Sequence, residues 1–97
     1  METSIYRSIF GLAARVGSLE GYLYVGKDVE VQYLPGWLEN INRNFSALTL
    51  DVRREISEDY LEILMKIADY LERLYGKTDQ NARTARGIVA AFKESAG

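Results

Sequence analysis

Cysteine and histidine are both absent from this sequence, and the two absences exclude several classes of function. Without cysteine the chain forms no disulfide and no thiolate metal site. Mechanisms that use a cysteine nucleophile or a histidine general base are excluded too. A helical di-iron centre of the Glu-x-x-His type lacks its imidazole ligands. An enzyme would have to rely on carboxylate, lysine or tyrosine chemistry, so we expect a non-enzymatic protein without cofactor or metal.

The N-terminal region also lacks the features of a membrane or secretory segment. The uncharged run at residues 8–14 is far shorter than the roughly 20 apolar residues that span a bilayer. The N-terminus METSIYRSIFGLAAR has no basic region that leads into a long apolar stretch, as a signal peptide would. We therefore expect a cytoplasmic protein that does not enter a membrane.

The totals describe one soluble domain over residues 1–97. The chain is 47% hydrophobic and 27% charged, which is typical of a globular protein. Its formal net charge of −2 argues against general affinity for nucleic acid or anionic lipid, although a local basic patch stays compatible with it.

The first helix is predicted from Thr3 or Ser4, either of which can cap it. Its apolar residues recur three and four apart, as one stripe of an α-helix does: Ile5, Ile9, Leu12, Val16 and Leu19. Beside the stripe lie three small residues four apart: Ala13, Gly17 and Gly21. In membranes such spacing marks dimer faces, but here we expect close packing within the chain. Gly21 is also a natural helix stop.

The stretch EGYLYVGKDVEVQYLPGW, residues 20–37, alternates like a pair of strands. Gly26–Lys27 fits the two-residue turn of a hairpin over about residues 22–33. That register puts an aromatic and β-branched set on one face: Tyr22, Tyr24, Val29, Val31 and Tyr33. The competing interpretation is a first helix that continues through Leu23. Pro35–Gly36 suits a type II turn before the next helix.

Together with Trp37, the apolar hairpin face is the best candidate interaction surface. It either packs on the helices as core or is partly exposed as a binding patch, since Tyr and Trp are favoured there. The edges of an isolated hairpin are open, and pairing with a second copy would cover them.

Residues 37–75 are helical in pattern, with no proline or glycine after Gly36. Their apolar residues recur three or four apart as a predicted core stripe: Leu38, Ile41, Phe45, Leu48, Val52, Ile56, Tyr60, Leu64, Ile67, Leu71 and Leu74. A single helix of this length would extend roughly 58 Å, far beyond a compact domain of about 32 Å. Two places could break it: the segment LTLDV around Thr49, and Ser57, a good N-cap followed by two acidic residues. The sequence leaves open whether one helix or two form.

Gly76 is predicted to end this pattern, and a last helix is predicted from Thr78, with Asp79 at its first position. The core side of this helix is small, with residues three and four apart: Ala82, Ala85, Val89, Phe92 and Ala96. Residues 51–75 carry net charge −3 and residues 76–97 carry +2, which indicates complementary surfaces within the chain or between copies. Glu62–Lys66 and Asp69–Arg73 fit ion pairs one turn apart.

Arg83, Arg86 and Lys93 form a possible basic patch, too small for a convincing nucleic-acid footprint. YGKTD at residues 75–79 lacks the strand and the first glycine of a phosphate-binding loop.

These patterns predict a mainly α protein: a three- to four-helix bundle with a small β-hairpin between the first and second helices. We expect a non-enzymatic protein that acts through self-association, as a homodimer, and through protein–protein contacts. The alternative is a ligand-binding or regulatory domain that uses the Tyr/Trp cluster as a pocket, with Arg43 or Lys27 as a polar anchor. A nucleic-acid-associated regulator is the third hypothesis.

Overall fold

The structure is a computed structural model that describes the backbone of residues 2–25 and 33–96 and the side chains of residues 7–21 and 33–96. These ranges hold four α-helices and no β-strand. The helices are α1 (Glu2–Val25), α2 (Leu34–Ser46), α3 (Leu50–Tyr75) and α4 (Gln80–Ala96). The predicted mainly helical bundle is confirmed in this respect.

The four helices pack in a ring around one core. α3 pairs most extensively with α4 and α1 with α2, while α1 also contacts α3 and α2 also contacts α4. The buried apolar residues come from all four helices and the α2–α3 turn: Leu12, Val16, Leu19, Leu34, Leu38, Ile41, Phe45, Leu48, Ile56, Leu64, Ile67, Ala68, Leu71, Ala82, Ala85, Ile88, Val89 and Phe92. The Phe45 and Phe92 rings stack with centroids 3.9 Å apart and join α2 to α4.

The helical pattern of residues 37–75 is divided into two helices by a turn at residues 47–49. Thr49 is the N-cap of α3, and its hydroxyl accepts a hydrogen bond from the Val52 amide at 3.4 Å. The Arg53 guanidinium donates to the carbonyls of Phe45 at 3.1 Å and Ser46 at 2.6 Å. A cation at a helix C-terminus satisfies free carbonyls and complements the helix dipole, so Arg53 stabilises this break. Ser57, the other predicted break, lies inside α3.

The described part of the predicted hairpin is not β-structure. The backbone of its first strand, Tyr22–Val25, continues α1, as in the competing interpretation, and residues 26–32 lie outside the described residues. Extending an existing helix adds one hydrogen bond for each residue fixed, whereas an isolated hairpin is marginal. Gly21 costs the helix only about 1 kcal/mol relative to alanine and therefore does not end it.

The segment LPG forms the first turn of α2, and the predicted type II turn is wrong. Tyr33 is the N-cap and Pro35 lies in the first turn of the helix. Proline is tolerated there because the amide groups of a first turn have no partner within the helix. Leu34, absent from the predicted core stripe, is consequently buried.

The turn between α3 and α4 follows the predicted stop and start closely. Gly76 ends α3 with φ of 92°, a conformation that favours glycine, and its amide donates to the Glu72 carbonyl at 2.9 Å. Asp79 is the N-cap of α4, and its carboxylate accepts from the amides of Asn81 at 3.0 Å and Ala82 at 3.1 Å. The helix thus begins at Gln80, close to the predicted Thr78 start.

The small residues of α1 pack differently from the prediction. Gly17 and Gly21 are exposed, and a Cβ added at either would meet no described atom within 4 Å. They lie on the side of α1 opposite Leu12, Val16 and Leu19, which face the core. The close approach is at Gly11, where an added Cβ would lie 2.8 Å from the Asn44 side-chain nitrogen.

Candidate functional site

The predicted aromatic surface is described at two of its six residues. Tyr33 and Trp37 lie one turn apart at the start of α2, and their rings stack with centroids 6.1 Å apart and planes 16° apart. Tyr33 is 50% exposed, while Trp37 is partly buried against the core. Tyr22 and Tyr24 lie on α1 in the part whose side chains are not described, and Val29 and Val31 lie outside the described residues. The two described rings form an aromatic step with one open side.

Arg86 is the centre of the strongest polar cluster among the described residues. Its guanidinium donates to Glu72 Oε2 at 3.1 Å, to Glu72 Oε1 at 2.9 Å and to Asp69 Oδ1 at 2.7 Å. The forked contact with Glu72 is the geometry in which arginine binds a carboxylate most strongly. One side chain of α4 therefore holds two carboxylates of α3.

The same hydrogen bonds shift the acid–base equilibria of the cluster. The hydrogen bond from Arg86 holds the pKa of the Glu72 carboxyl below its usual value, against a smaller opposing effect of desolvation. Hydrogen bonds to Glu72 and Asp69 raise the pKa of Arg86, which is charged at every ordinary pH. Glu72 is therefore ionised at neutral pH.

The predicted basic patch is not a continuous surface of free cations. Arg83 and Lys93 are exposed on α4, but Arg86 is used in the contact with α3. The predicted complementarity between the acidic and basic parts of the chain is thus realised within the chain at Arg86. The Glu62–Lys66 pair is confirmed at 3.5 Å. The Asp69–Arg73 pair is wrong, because Asp69 binds Arg86 and the Arg73 guanidinium lies 5.9 Å from the Tyr70 ring centroid.

An open groove of about 630 Å³ runs beside this cluster. Its described lining comes from the end of α3 and the turn that follows: Lys66, Asp69, Glu72, Arg73 and Lys77. Since Arg86 already neutralises part of the charge of the two carboxylates, the groove is more cationic than the protein as a whole.

A smaller pocket of about 200 Å³ lies between α1 and α3. Glu20, Asp59, Glu62, Ile63 and Lys66 line it. The carboxylates are not arranged as metal ligands: among the described residues, no group of three or more acidic side chains could hold a metal ion.

The outer face of α1, defined here as Arg7, Phe10, Ala14, Gly17 and Gly21, is exposed along its whole length. Phe10 is 78% exposed and is the most exposed large apolar side chain described. Between Arg7 and Gly21 this face has no charged member. Outer faces of surface helices normally carry charged and polar residues, so this uncharged face is unusual. The members of this face recur three and four residues apart, as those of the core stripe of α1 do. This spacing could have identified the face from the sequence.

Ser57 has a buried hydroxyl group that the sequence did not predict. Its side chain is 0% exposed, and its hydroxyl has no hydrogen-bond partner among the described residues. An unsatisfied buried hydroxyl costs about 1–3 kcal/mol. No periodicity signal marks this position as core, because serine reads as a polar or capping residue.

Comparisons of the chain with protein-family models, with curated proteins and with solved structures found no match. Within the part of the chain that the structure describes, none of the helices combines the length and the apolar character needed to cross a bilayer.

Proposed function

We propose that this protein is a small non-enzymatic helical protein that self-associates and acts through protein–protein contacts. The observation that carries the proposal is the outer face of α1, which is exposed, almost uncharged and marked by Phe10 at 78% exposure. An exposed apolar patch of this kind is typical of a surface that a partner covers.

The contrast with the other long helix supports this interpretation. The exposed residues of α3 are mostly charged, including Arg54, Glu55, Glu58, Asp59 and Glu62. That is the composition expected of a face in contact with water. The residues of the outer face of α1 are instead of the kind found where two helices pack against each other.

The spacing of large and small residues favours a second copy as the partner. Phe10 and Gly17 are seven residues apart, so they lie two turns apart on nearly the same side of α1. They are also equally distant from the midpoint between Ala13 and Ala14. In an antiparallel pairing about that midpoint, Phe10 of each copy lies over Gly17 of the other.

Such a contact is self-complementary, as a twofold interface between identical chains must be. Among the described residues the space above Gly17 is open, since an added Cβ would meet none of their atoms within 4 Å. A phenyl ring can occupy that space against the helix backbone. The paired segments, residues 7–20, extend about 21 Å, so one helix pair buries less than a standard interface and the dimer is concentration-dependent.

The alternative function, a ligand-binding or regulatory domain, is favoured by the half-exposed aromatic step of Tyr33 and Trp37. Aromatic faces bind planar or cationic groups. Of the two suggested polar anchors, Arg43 is hydrogen-bonded to Glu39 at 3.0 Å and Lys27 lies outside the described residues. This step stays a second predicted contact surface.

Sedimentation velocity on substituted proteins tests the proposal. Phe10→Lys places two charges in the proposed contact and should leave a monomer at concentrations where the unchanged protein dimerises. Leu74→Lys is the matched control, because Leu74 is 47% exposed on α3 and lies outside the outer face of α1. Tyr33→Lys tests the aromatic step. If Phe10→Lys and Leu74→Lys sediment alike, the outer face of α1 is not the contact.

A further inference from the structure

Two residues can cap the N-terminus of α3, Thr49 and Ser57, and seven residues of helix lie between them. Thr49 is the cap in the folded structure, through a long 3.4 Å hydrogen bond to Val52. Ser57 lies inside the helix with a buried hydroxyl that has no partner among the described residues. A serine inside a helix ordinarily bonds a carbonyl of the preceding turn or faces water. Ser57 does neither.

The segment between the two caps, residues 50–56, is weakly held. Ile56 is its one buried side chain and Val52 packs against the core partly buried, whereas Leu50 is 72% exposed. Its polar tie to the rest of the protein is Arg53, which donates to the carbonyls of Phe45 and Ser46 and lies 5.7 Å from the Phe45 ring centroid. Few buried apolar contacts and one polar tie are the features of a segment of low local stability.

The residues after Ser57 are those of a helix start. Glu58 and Asp59 follow it and are exposed. As the first two residues of a helix they would be stabilised by the positive end of the helix dipole. In the middle of α3 this advantage is absent.

We propose that residues 50–56 open as one unit and that α3 then begins at Glu58, with Ser57 as its N-cap. The Ser57 hydroxyl leaves the core and caps the shortened helix. Arg53 leaves the C-terminus of α2, and the connection between α2 and α3 lengthens from residues 47–49 to residues 47–57. Capping at Ser57 thus limits the opening to the residues that precede it. The longer connection between α2 and α3 then acts as a hinge between the α1–α2 pair and the α3–α4 pair.

Amide hydrogen exchange of the whole protein, resolved by residue with NMR, tests this inference. In the open form the amides up to residue 60 have lost their carbonyl partners, and the first amide to keep one is that of Leu61. We expect residues 53–58 to exchange with a common free energy of opening, well below that of residues from Leu61 onward.

Ser57→Ala removes the cap of the open form and should slow exchange of residues 53–58 by about tenfold relative to residues 88–92 in α4. Glu58→Gln weakens the open helix alone and should slow the same amides roughly two- to fivefold. Glu55→Gln is the matched control, since Glu55 is exposed on α3 but lies outside the shortened helix. It should leave these rates unchanged.

Equal protection of residues 53–58 and the rest of α3 would overturn the inference. So would a Ser57→Ala effect of equal size in α3 and α4, which would show that the substitution acts on global unfolding alone. If Glu55→Gln and Glu58→Gln changed the exchange rates of residues 53–58 equally, that result would also contradict an open form capped at Ser57.

Discussion

At the scale of single residues, Arg86 ties α4 to α3 through three hydrogen bonds to two carboxylates. Arg86→Gln removes the charge that balances Asp69 and Glu72, so we expect the thermal midpoint to fall by roughly 4 °C. Arg83→Gln makes the same substitution at an exposed position on the same helix and should have no effect. Equal midpoints for the two variants in a calorimetric scan would contradict a stabilising role for Arg86.

The lowered pKa of Glu72 predicts how this contact depends on pH. Because the pKa of Glu72 in the folded protein lies below the ordinary value of 4.5, its contribution to stability is complete above that value. The contribution is lost as the pH falls through the lower pKa of the folded state. Urea unfolding of the unchanged protein and of Glu72→Gln should show a difference in stability that is constant at neutral pH and shrinks below about pH 4.5. Since the chain has no histidine, no imidazole titration overlaps this region. A difference that grows on acidification would contradict the assigned direction.

Ser57 has a measurable consequence for global stability besides the local opening. Replacing it with alanine removes an unsatisfied buried hydroxyl and should raise the free energy of unfolding by about 1 kcal/mol. Ser46→Ala, at an exposed helical position, controls for the higher helix propensity of alanine. Urea denaturation measures both changes. A gain no larger at Ser57 than at Ser46 would show that the hydroxyl finds a partner in solution.

At the scale of helices, hydrophobic spacing was a good guide to which residues face the core. The three- and four-residue series in α1, α2, α3 and α4 are largely buried, although Leu74, the last member of the α3 series, is 47% exposed. Thr49 and Ser57 are both good N-caps, and local sequence does not choose between them. The choice depends on Arg53 reaching the end of α2, a tertiary contact that periodicity does not encode.

The same limit explains the stretch from Tyr22 to Val25. Alternating apolar residues around a Gly-Lys pair favour a hairpin locally, but α1 continues through them. Gly21, a typical stop, is overridden because the penalty for glycine inside a helix is small. Pro35 likewise lies in the first turn of α2, where a type II turn was predicted.

Two glycines of α1 allow an internal comparison. Gly17→Ala should raise the free energy of unfolding of the dilute monomer by about 1 kcal/mol, because alanine favours helix and meets no neighbour. Gly11→Ala should raise the free energy of unfolding by about 1 kcal/mol less than Gly17→Ala does. The added methyl group displaces Asn44 and breaks the 2.8 Å hydrogen bond that Asn44 donates to Asn40. Chemical denaturation measures both effects. Equal gains would show that Asn44 moves without losing its bond.

Gly17→Ala makes a second, opposite prediction for the dimer. A methyl group at this position occupies the space proposed for Phe10 of the other copy, so association should weaken while the monomer becomes more stable. Sedimentation equilibrium measures the association separately. Unchanged or tighter association would place Phe10 elsewhere.

At the scale of the whole molecule, the described residues have principal dimensions of 39 × 25 × 20 Å. The 26 residues of α3 extend about 39 Å, so one helix sets the long dimension without projecting far beyond its neighbours. The break at residues 47–49 resolves the excess length that a single helix over residues 37–75 would have had. A monomer can therefore be compact, and helix length does not require a second copy. The dimer is proposed because the outer face of α1 is exposed.

The candidate surfaces were only partly foreseeable from the sequence. The opposite charges of residues 51–75 and 76–97 pointed to a contact, but the specific partners of Arg86 required the antiparallel register of α3 and α4. Gly17 and Gly21 were expected against another helix of the chain, and they are exposed because the core stripe occupies the opposite side of α1. Which side of a helix is left uncovered depends on the packing of all four.

Light scattering coupled to size-exclusion chromatography, over about a hundredfold range of protein concentration, tests the central proposal most directly, because mass action makes a weak dimer concentration-dependent. The proposal predicts a mass that rises from the 11.0 kDa of one chain towards twice that value. A mass of 11.0 kDa at every concentration would contradict self-association.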